Sequence, residues 1–100
     1  MALRHVVMFR FADGTTDEQV RALADGLDQM PAAAGTMVDY RHGRDAGINE
    51  TTYDYVVVGD FATVDDYLTY RDHPDHQALI RDVIRPILAE RASIQFELPD

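Results

Sequence analysis

In residues 3–11, every second side chain belongs to a mainly apolar face, which is the pattern of a β-strand with one buried face. That face carries Leu3, His5, Val7, Phe9 and Phe11. Residues 12–19 then supply a turn and a helix start, because Thr16 and Gln19 have the spacing of a capping box. Apolar residues at helical spacing follow, and we expect this helix to stop at Pro31.

Strand patterns recur in three later segments, which are residues 37–42, 53–61 and 92–98. In the second strand of the chain, Val38 and Tyr40 share the more apolar face. In the last strand, Ile94 and Phe96 share one side. The polar segment between the second and third strands contains glycine and is predicted to be a loop.

Two helices are predicted between the third and fourth strands. Thr63 and Asp66 have capping spacing and open a short helix, which ends at His73 because a residue before proline is disfavoured in helical geometry. Pro74 suits the first turn of a longer helix. Pro86 should kink or loosen that helix, since it has no N–H to donate one turn back.

The element order is therefore β-α-β-β-α-α-β, without an internal repeat or a low-complexity linker. This order is typical of the ferredoxin-like α+β fold, in which a four-stranded antiparallel sheet carries its helices on one face. One hundred residues are enough for one hydrophobic core, so we expect a single domain over residues 1–100.

The face of the sheet away from the helices should be polar if it meets water, but this sequence makes its centre apolar. Val6 and Met8 lie there on the first strand, and Val56 and Val58 lie there on the third, with charged residues at the strand ends. An apolar centre with a charged rim is typical of a protein interface. We therefore predict a homodimer in which two sheets face each other; the alternative is a solvated sheet, because β-branched residues favour strands on either face.

Composition narrows the chemistry. The chain has no cysteine and no lysine, which excludes thiolate and Schiff-base chemistry on its own side chains, and its net charge of −9 argues against nucleic acid or an anionic membrane as partner. The single serine, Ser93, has no catalytic motif around it, and no glycine-rich phosphate loop is present. The N-terminal segment lacks the apolar stretch of a signal peptide, so we expect a cytoplasmic protein. With these chemistries excluded, an enzyme of this sequence would use acid–base chemistry, and we expect no cofactor.

Four polar residues fall on faces that are otherwise apolar. His5 lies on the inner face of the first strand, His76 continues the apolar stripe of the last helix, and Tyr55 and Tyr70 can point into the same layer. Together they predict a pocket between sheet and helices for a small, largely apolar molecule. The apolar residues expected to complete its lining are Val7, Phe9 and Leu79.

The pattern alone leaves the role of His76 open. Its place in the first turn of a helix favours the neutral imidazole, which is a competent general base, whereas Asp72 and Asp75 would favour the charged form. A buried histidine can also simply be satisfied by a backbone carbonyl or a tyrosine hydroxyl. A metal site at His73 and His76 is disfavoured, because Pro74 separates them and no cysteine is available.

Four segments of the chain resemble the stress-responsive A/B barrel (Dabb) family. They are "HVVMFRF" near the N-terminus, "YDYVVVGDF" in the third strand, "YLTYRDHPDHQAL" around the helix junction and "SIQFEL" at the end. The resemblance spans nearly the whole chain, and the pairing of an early strand histidine with a later H-P-x-H is its most specific part. It implies a dimeric α+β barrel.

The family includes a cofactor-independent polyketide cyclase, so the resemblance also implies candidate roles. His76 would be the catalytic base, Tyr70 would assist it and His5 would line the pocket, while Tyr55 replaces a family histidine. The expected reaction is the cyclisation or isomerisation of a polyketide-like or β-keto substrate. Two alternatives remain. One is a non-catalytic stress-response or ligand-binding dimer. The other is a monooxygenase-like member of the same superfamily, and the lack of tryptophan counts against this second alternative.

Overall fold

The computed structural model describes residues 1–99 and contains four strands and three α-helices. The strands are β1 (Leu3–Phe11), β2 (Met37–Arg44), β3 (Tyr55–Phe61) and β4 (Leu88–Glu97). The α-helices are α1 (Asp17–Ala34), α2 (Val64–Asp72) and α3 (Pro74–Leu79). All strand pairs are antiparallel, in the spatial order β2-β3-β1-β4. The predicted ferredoxin-like α+β fold is confirmed.

The core lies between the sheet and its helices. On β1 the predicted inner residues Leu3, His5, Val7 and Phe9 are buried, and the residues between them are only half-buried. Helix α1 places its apolar stripe on this face, namely Val20, Leu23, Leu27 and Met30. Its predicted capping box is present, because Thr16 Oγ1 accepts from the Gln19 backbone N–H and the Gln19 side chain accepts from the Thr16 backbone N–H.

The expectation that Pro31 ends α1 was wrong. The helix continues through three alanines, which are the best helix formers, and ends at Gly35. Gly35 takes a left-handed conformation with φ of 69° and donates its N–H to the Pro31 carbonyl. The terminating signal is therefore the glycine, and the proline is tolerated one turn earlier on an exposed part of the helix.

A bulge in β2 separates two residues that were predicted to share a face. The pairing register with β3 shifts between Met37 and Asp39, so Val38 has no partner in the ladder. Val38 is 73% exposed, while Tyr40 packs against the core. The predicted common apolar face of Val38 and Tyr40 was wrong for that reason.

The chain unwinds before β4, as Pro86 predicts. Helix α3 passes into a π-helical turn, Ile80–Ile84, and then a 3-10 turn, Arg85–Ile87, that contains the proline. Because the helical segment ends there, β4 begins at Leu88, four residues before the predicted start. Strand β3 begins two residues late, because Asp54 instead bonds to β1 through its N–H to the Phe9 carbonyl and its carboxylate to the Phe11 N–H.

The outer face of the sheet has the apolar centre that the alternation predicts. Val6 pairs with Val58 on one side and with Ile94 on the other, which brings three apolar side chains together across three strands. Ile94 is 64% exposed and Phe96 is 44% exposed. Two residues along the same strands, Arg4 and Asp60 form a bidentate salt bridge with N···O distances of 2.7 and 2.9 Å. Over residues 1–99, none of the helices combines the length and the hydropathy needed to cross a membrane.

Candidate functional site

A cavity of about 310 Å³ lies between the inner face of the sheet and the helical segment after β3. Its polar lining residues are His5, Tyr67, Tyr70, Arg71, His76, Gln77, Arg85 and Arg91. Its apolar lining residues are Val7, Phe9, Leu27, Val57, Ile80, Ile84 and Leu88. The cavity thus has an apolar body with polar groups at a few positions, which is the usual composition of a small-molecule site.

Most of the predicted site residues meet in this cavity. His5, Val7 and Phe9 reach it from β1, Tyr70 from α2 and His76 from α3. The β1 residues do so because strand alternation directs them toward the helices, and the helical residues do so because each lies on the inward side of its helix.

Leu79 and Tyr55, the other two, do not line this cavity. Leu79 packs instead against α1 at Gly26, where a Cβ would overlap the leucine side chain. The absence of a side chain at Gly26 lets α1 and α3 approach, and Leu79 fills the space between them. The placement of Leu79 in the pocket lining is therefore corrected: it belongs to the helix packing.

Tyr55 belongs to a separate network on the side of α1. Its hydroxyl lies 2.7 Å from His42 Nδ1, and His42 Nε2 lies 2.6 Å from a carboxylate oxygen of Asp28. A carboxylate only accepts, so His42 Nε2 carries the proton, and in neutral His42 the Nδ1 atom accepts from Tyr55. The predicted convergence of Tyr55 on the two cavity histidines is thus corrected, because its hydroxyl is held by His42.

Among residues 1–99, one ring nitrogen of His76 has a hydrogen-bond partner and the other has none. Its Nδ1 lies 2.9 Å from the Arg71 backbone carbonyl, which only accepts, so Nδ1 carries the proton. The neutral ring therefore has its lone pair on Nε2, for which residues 1–99 provide no hydrogen-bond donor. Burial lowers the pKa of His76, against the opposing effect of its bond to the Arg71 carbonyl. His76 is thus a neutral base at the cavity at pH 7.

Tyr70 packs against His76 and binds a second tyrosine. The two ring centroids of Tyr70 and His76 are 4.2 Å apart, and the Tyr70 hydroxyl lies 2.8 Å from the hydroxyl of Tyr40 on β2. Burial raises the pKa of Tyr70 to about 12, and the hydrogen bond of Tyr40 opposes that rise. When Tyr40 donates, the proton of Tyr70 remains available to a ligand.

His5 faces the cavity from the opposite wall. The Gln95 side-chain amide donates to His5 Nδ1 over 2.9 Å, which leaves the proton of the neutral ring on Nε2. Burial lowers the pKa of His5 to about 4, and the positive charge of Arg91 adds to this effect, as does His76 when it is protonated. The cavity is therefore lined by two neutral imidazoles in opposite tautomers. Nε2 carries a lone pair in His76 and an N–H in His5.

His73 and Pro74 form the junction between the two helices, as predicted. His73 ends α2, and its Nδ1 accepts the Asp75 backbone N–H at the start of α3, where Pro74 occupies the first turn. Within residues 1–99, no cluster of three or more acidic, histidine or cysteine side chains is arranged to hold a metal ion.

Sequence reasoning missed several residues that shape these sites. Gln95 lies on the opposite side of β4 from Ile94 and Phe96, so strand alternation was a usable signal for it. Two other contacts had no such signal, because each joins residues of different elements. Tyr40 on β2 bonds to Tyr70 on α2, and His42 on β2 bonds to Tyr55 on β3. Arg91 also lines the cavity, but it precedes the predicted start of the last strand at residue 92, so strand alternation could not be applied to it.

Similar proteins agree with this architecture. A solved structure from Thermobifida fusca YX, described as a dimeric ferredoxin-like protein of unknown function, is 39% identical, with 98% of this chain and 92% of that chain covered and a TM-score of 0.89. A Dabb family protein from Mesorhizobium loti MAFF303099 is 21% identical, with 99% and 98% covered and a TM-score of 0.82. A hydroxynitrile lyase from Passiflora edulis is 16% identical, with 99% and 94% covered and a TM-score of 0.86.

The family assignment rests on the sequence as well as the fold. No curated protein is similar enough in sequence to match the chain. The model of the stress-responsive A/B barrel domain, however, matches residues 3–98, which is nearly the whole sequence. The chain therefore belongs to the stress-responsive A/B barrel (Dabb) family.

Proposed function

We propose that this protein is a cofactor-independent acid–base enzyme that cyclises or isomerises a small β-keto or polyketide-like carbonyl compound. The observation that carries the proposal is the state of His76, whose Nδ1 is fixed as a donor by the Arg71 carbonyl. This bond makes Nε2 a proton acceptor at the edge of a mostly apolar cavity. Because the pKa of His76 is lowered, its ring is neutral at pH 7, and the fixed tautomer leaves the lone pair on Nε2 to accept a proton.

The proposed reaction begins with removal of an acidic α-proton by His76 Nε2. Negative charge then develops on the carbonyl oxygen, and the Tyr70 hydroxyl donates to it while Tyr40 donates to Tyr70. The N–H on His5 Nε2 supplies a second donor from the opposite wall. The apolar part of the lining strengthens these hydrogen bonds because it lowers the local dielectric constant.

A protein with this fold has been described as a hydroxynitrile lyase, so the fold can serve an enzyme. At 16% identity, that likeness extends to the fold alone and assigns no substrate to this chain. The proposal for this chain therefore depends on its own His76, Tyr70 and His5.

The test is α-proton exchange in D₂O, followed by NMR on a panel of β-keto thioesters of N-acetylcysteamine. We expect the protein to accelerate exchange or cyclisation of at least one member, and His76→Gln to remove that acceleration. Glutamine keeps a donor that can bond to the Arg71 carbonyl, so the fold should be retained, as circular dichroism would check. His73→Gln is the matched control in the same helix junction and should leave the rate unchanged.

A non-catalytic ligand-binding role is the second candidate, and the bond between Tyr70 and Tyr40 favours it. This bond occupies one side of the tyrosine that would assist catalysis. Binding of panel members without any acceleration would rule out the enzyme proposal in favour of this role. Acceleration that survives in His76→Gln would instead show that His76 is not the catalytic base.

We further propose that the chain acts as a homodimer whose sheets face each other through Val6, Val58 and Ile94. Apolar side chains that are half-buried or exposed in one protomer support this, and so does the description of the 39%-identical relative as dimeric. Sedimentation should show a dimer for the unmodified protein and a monomer for Ile94→Asp. Ile48→Asp, in a loop and 83% exposed, is the matched control and should stay dimeric. A dimer that survives Ile94→Asp would place the interface elsewhere.

A further inference from the structure

The arginines of this chain fall into two groups. Six of the nine form a salt bridge with a carboxylate: Arg4, Arg10, Arg41, Arg44, Arg71 and Arg81. The other three, Arg21, Arg85 and Arg91, have no carboxylate partner among residues 1–99. Two of these three line the cavity of His76.

Arg85 and Arg91 enter the cavity from neighbouring elements. Arg85 lies in the 3-10 turn before β4, and Arg91 lies on β4 opposite Phe9 in the pairing register. Both side chains belong to exposed residues, so they stand where the cavity meets solvent. The charge of Arg91 acts on both cavity histidines, since it contributes to lowering the pKa of His5 and of His76.

This placement is unusual for the molecule as a whole. The net charge is −9, and an acidic surface repels anions in general. Two guanidinium groups that have no carboxylate partner among residues 1–99 therefore give this cavity a local positive charge on an otherwise acidic protein. Guanidinium forks bind carboxylates with two parallel hydrogen bonds, which is a geometry that neutral carbonyl compounds do not offer.

We infer that the cavity takes an organic carboxylate, whose anionic end lies between Arg85 and Arg91 and whose apolar body lies among Phe9, Val57 and Ile84. The inference rests on the proposed function in one respect, because it places the reacting carbonyl of such an acid near His76. Its binding part does not depend on catalysis. A bound carboxylate compensates the charge of Arg91, so binding makes both cavity histidines easier to protonate and is accompanied by proton uptake as the pH falls toward 5.

The experiment compares 3-phenylpropanoate with 3-phenylpropanamide, which have nearly the same shape and differ in charge. Affinity is measured by NMR titration, with the side-chain amides of Gln77 and Gln95 as reporters near the cavity. We expect the carboxylate to bind at least 10-fold more tightly at low salt and the preference to shrink as salt rises. Arg85→Gln with Arg91→Gln should abolish the preference, and Arg21→Gln, a change at the third arginine without a partner, should preserve it.

The outcomes separate this inference from the catalytic proposal. Equal affinity for the two probes, or a preference that survives the double substitution, would overturn the inference while leaving the cavity as a candidate active site. No binding of either probe would overturn it as well. A carboxylate preference that is intact in His76→Gln, in a protein that accelerates no exchange, would support the inference and reject the enzyme proposal.

Discussion

His76 and His42 lie on the same side of the sheet, and each has one nitrogen fixed by an oxygen that only accepts. In His42 the other nitrogen accepts from Tyr55, so both ring atoms have partners. In His76, a residue that lines the cavity, the other nitrogen has no hydrogen-bond donor among the described residues. The first ring has its hydrogen-bonding capacity filled, and the second has one basic atom left for a ligand.

Burial and one hydrogen bond are therefore common to both histidines and do not by themselves indicate a role in chemistry. The two rings differ in how many of their nitrogens the described residues satisfy, and the proposed role of His76 depends on that difference. Tyr55 and Tyr70 differ in which function of the hydroxyl is used: Tyr55 donates its proton to neutral His42, whereas Tyr70 keeps its proton for a ligand when Tyr40 donates to it. Substitutions at the two histidines should therefore affect different properties.

The largest expected effect is on catalysis. His76→Gln should lower the rate of α-proton exchange by about 10²- to 10⁴-fold, the usual contribution of a general base, while changing the melting temperature little. His42→Gln should leave that rate within about twofold. Rates and melting temperatures should be measured in parallel on both variants. If His42→Gln lowered the rate as strongly as His76→Gln, the expected difference between the two histidines would be wrong.

The next effect is on stability. His42→Ala leaves the hydroxyl of Tyr55 without its partner in a residue that is only 5% exposed, which should cost about 1–3 kcal/mol in the free energy of unfolding. For a domain of this size, that corresponds to a fall of roughly 5–20 °C in melting temperature. Urea unfolding would measure it, and a loss below about 0.5 kcal/mol would mean that the network contributes little.

A pH effect of intermediate size should come from His5. Its pKa is about 4 in the folded protein and has an ordinary value of 6.5, so between these values the unfolded chain binds more protons. The corresponding stability is fully present above pH 6.5 and is lost as the pH falls toward 4. Because solvent reaches the cavity, we expect on the order of 2 kcal/mol, less than the full shift implies.

Urea unfolding at pH 7, 6, 5 and 4 would show that slope, and His5→Gln should flatten it. NMR titration of the ring protons would give the pKa directly. A His5 resonance that titrates near 6.5 would contradict the expected burial of the neutral ring.

The smallest expected effect is that of Tyr55→Phe. The substitution removes the hydrogen bond to His42 Nδ1. Because the His42 side chain is 12% exposed, water can replace the hydroxyl, so we expect the free energy of unfolding to fall by only about 1 kcal/mol. In the His42→Ala background the same change should cost almost nothing, because the partner is already absent. A double-mutant cycle by urea unfolding measures this coupling, and full additivity would mean that the two residues act independently.

Part of the candidate site could be read from residue spacing. His5 was placed inward because it alternates with apolar residues on β1, and His76 because it continues the stripe of its helix; both expectations agree with the cavity lining. Tyr55 was also correctly placed on the inner side of its strand, where it is buried, but its hydroxyl partner comes from β2. Spacing predicts the direction of a side chain and not the group that meets its end.

The order of elements, the inner and outer faces of β1 and β3, and the helix junction at His73 and Pro74 could all be predicted from the sequence alone. These features depend on periodicity, capping and proline chemistry, which act over a few neighbouring residues. Only the tertiary structure decided that the imidazole of His76 meets the Arg71 carbonyl, that His42 closes on Tyr55 and Asp28, and that Arg91 reaches the cavity. Those contacts depend on where each helix ends and how closely the elements pack, which distant residues set together.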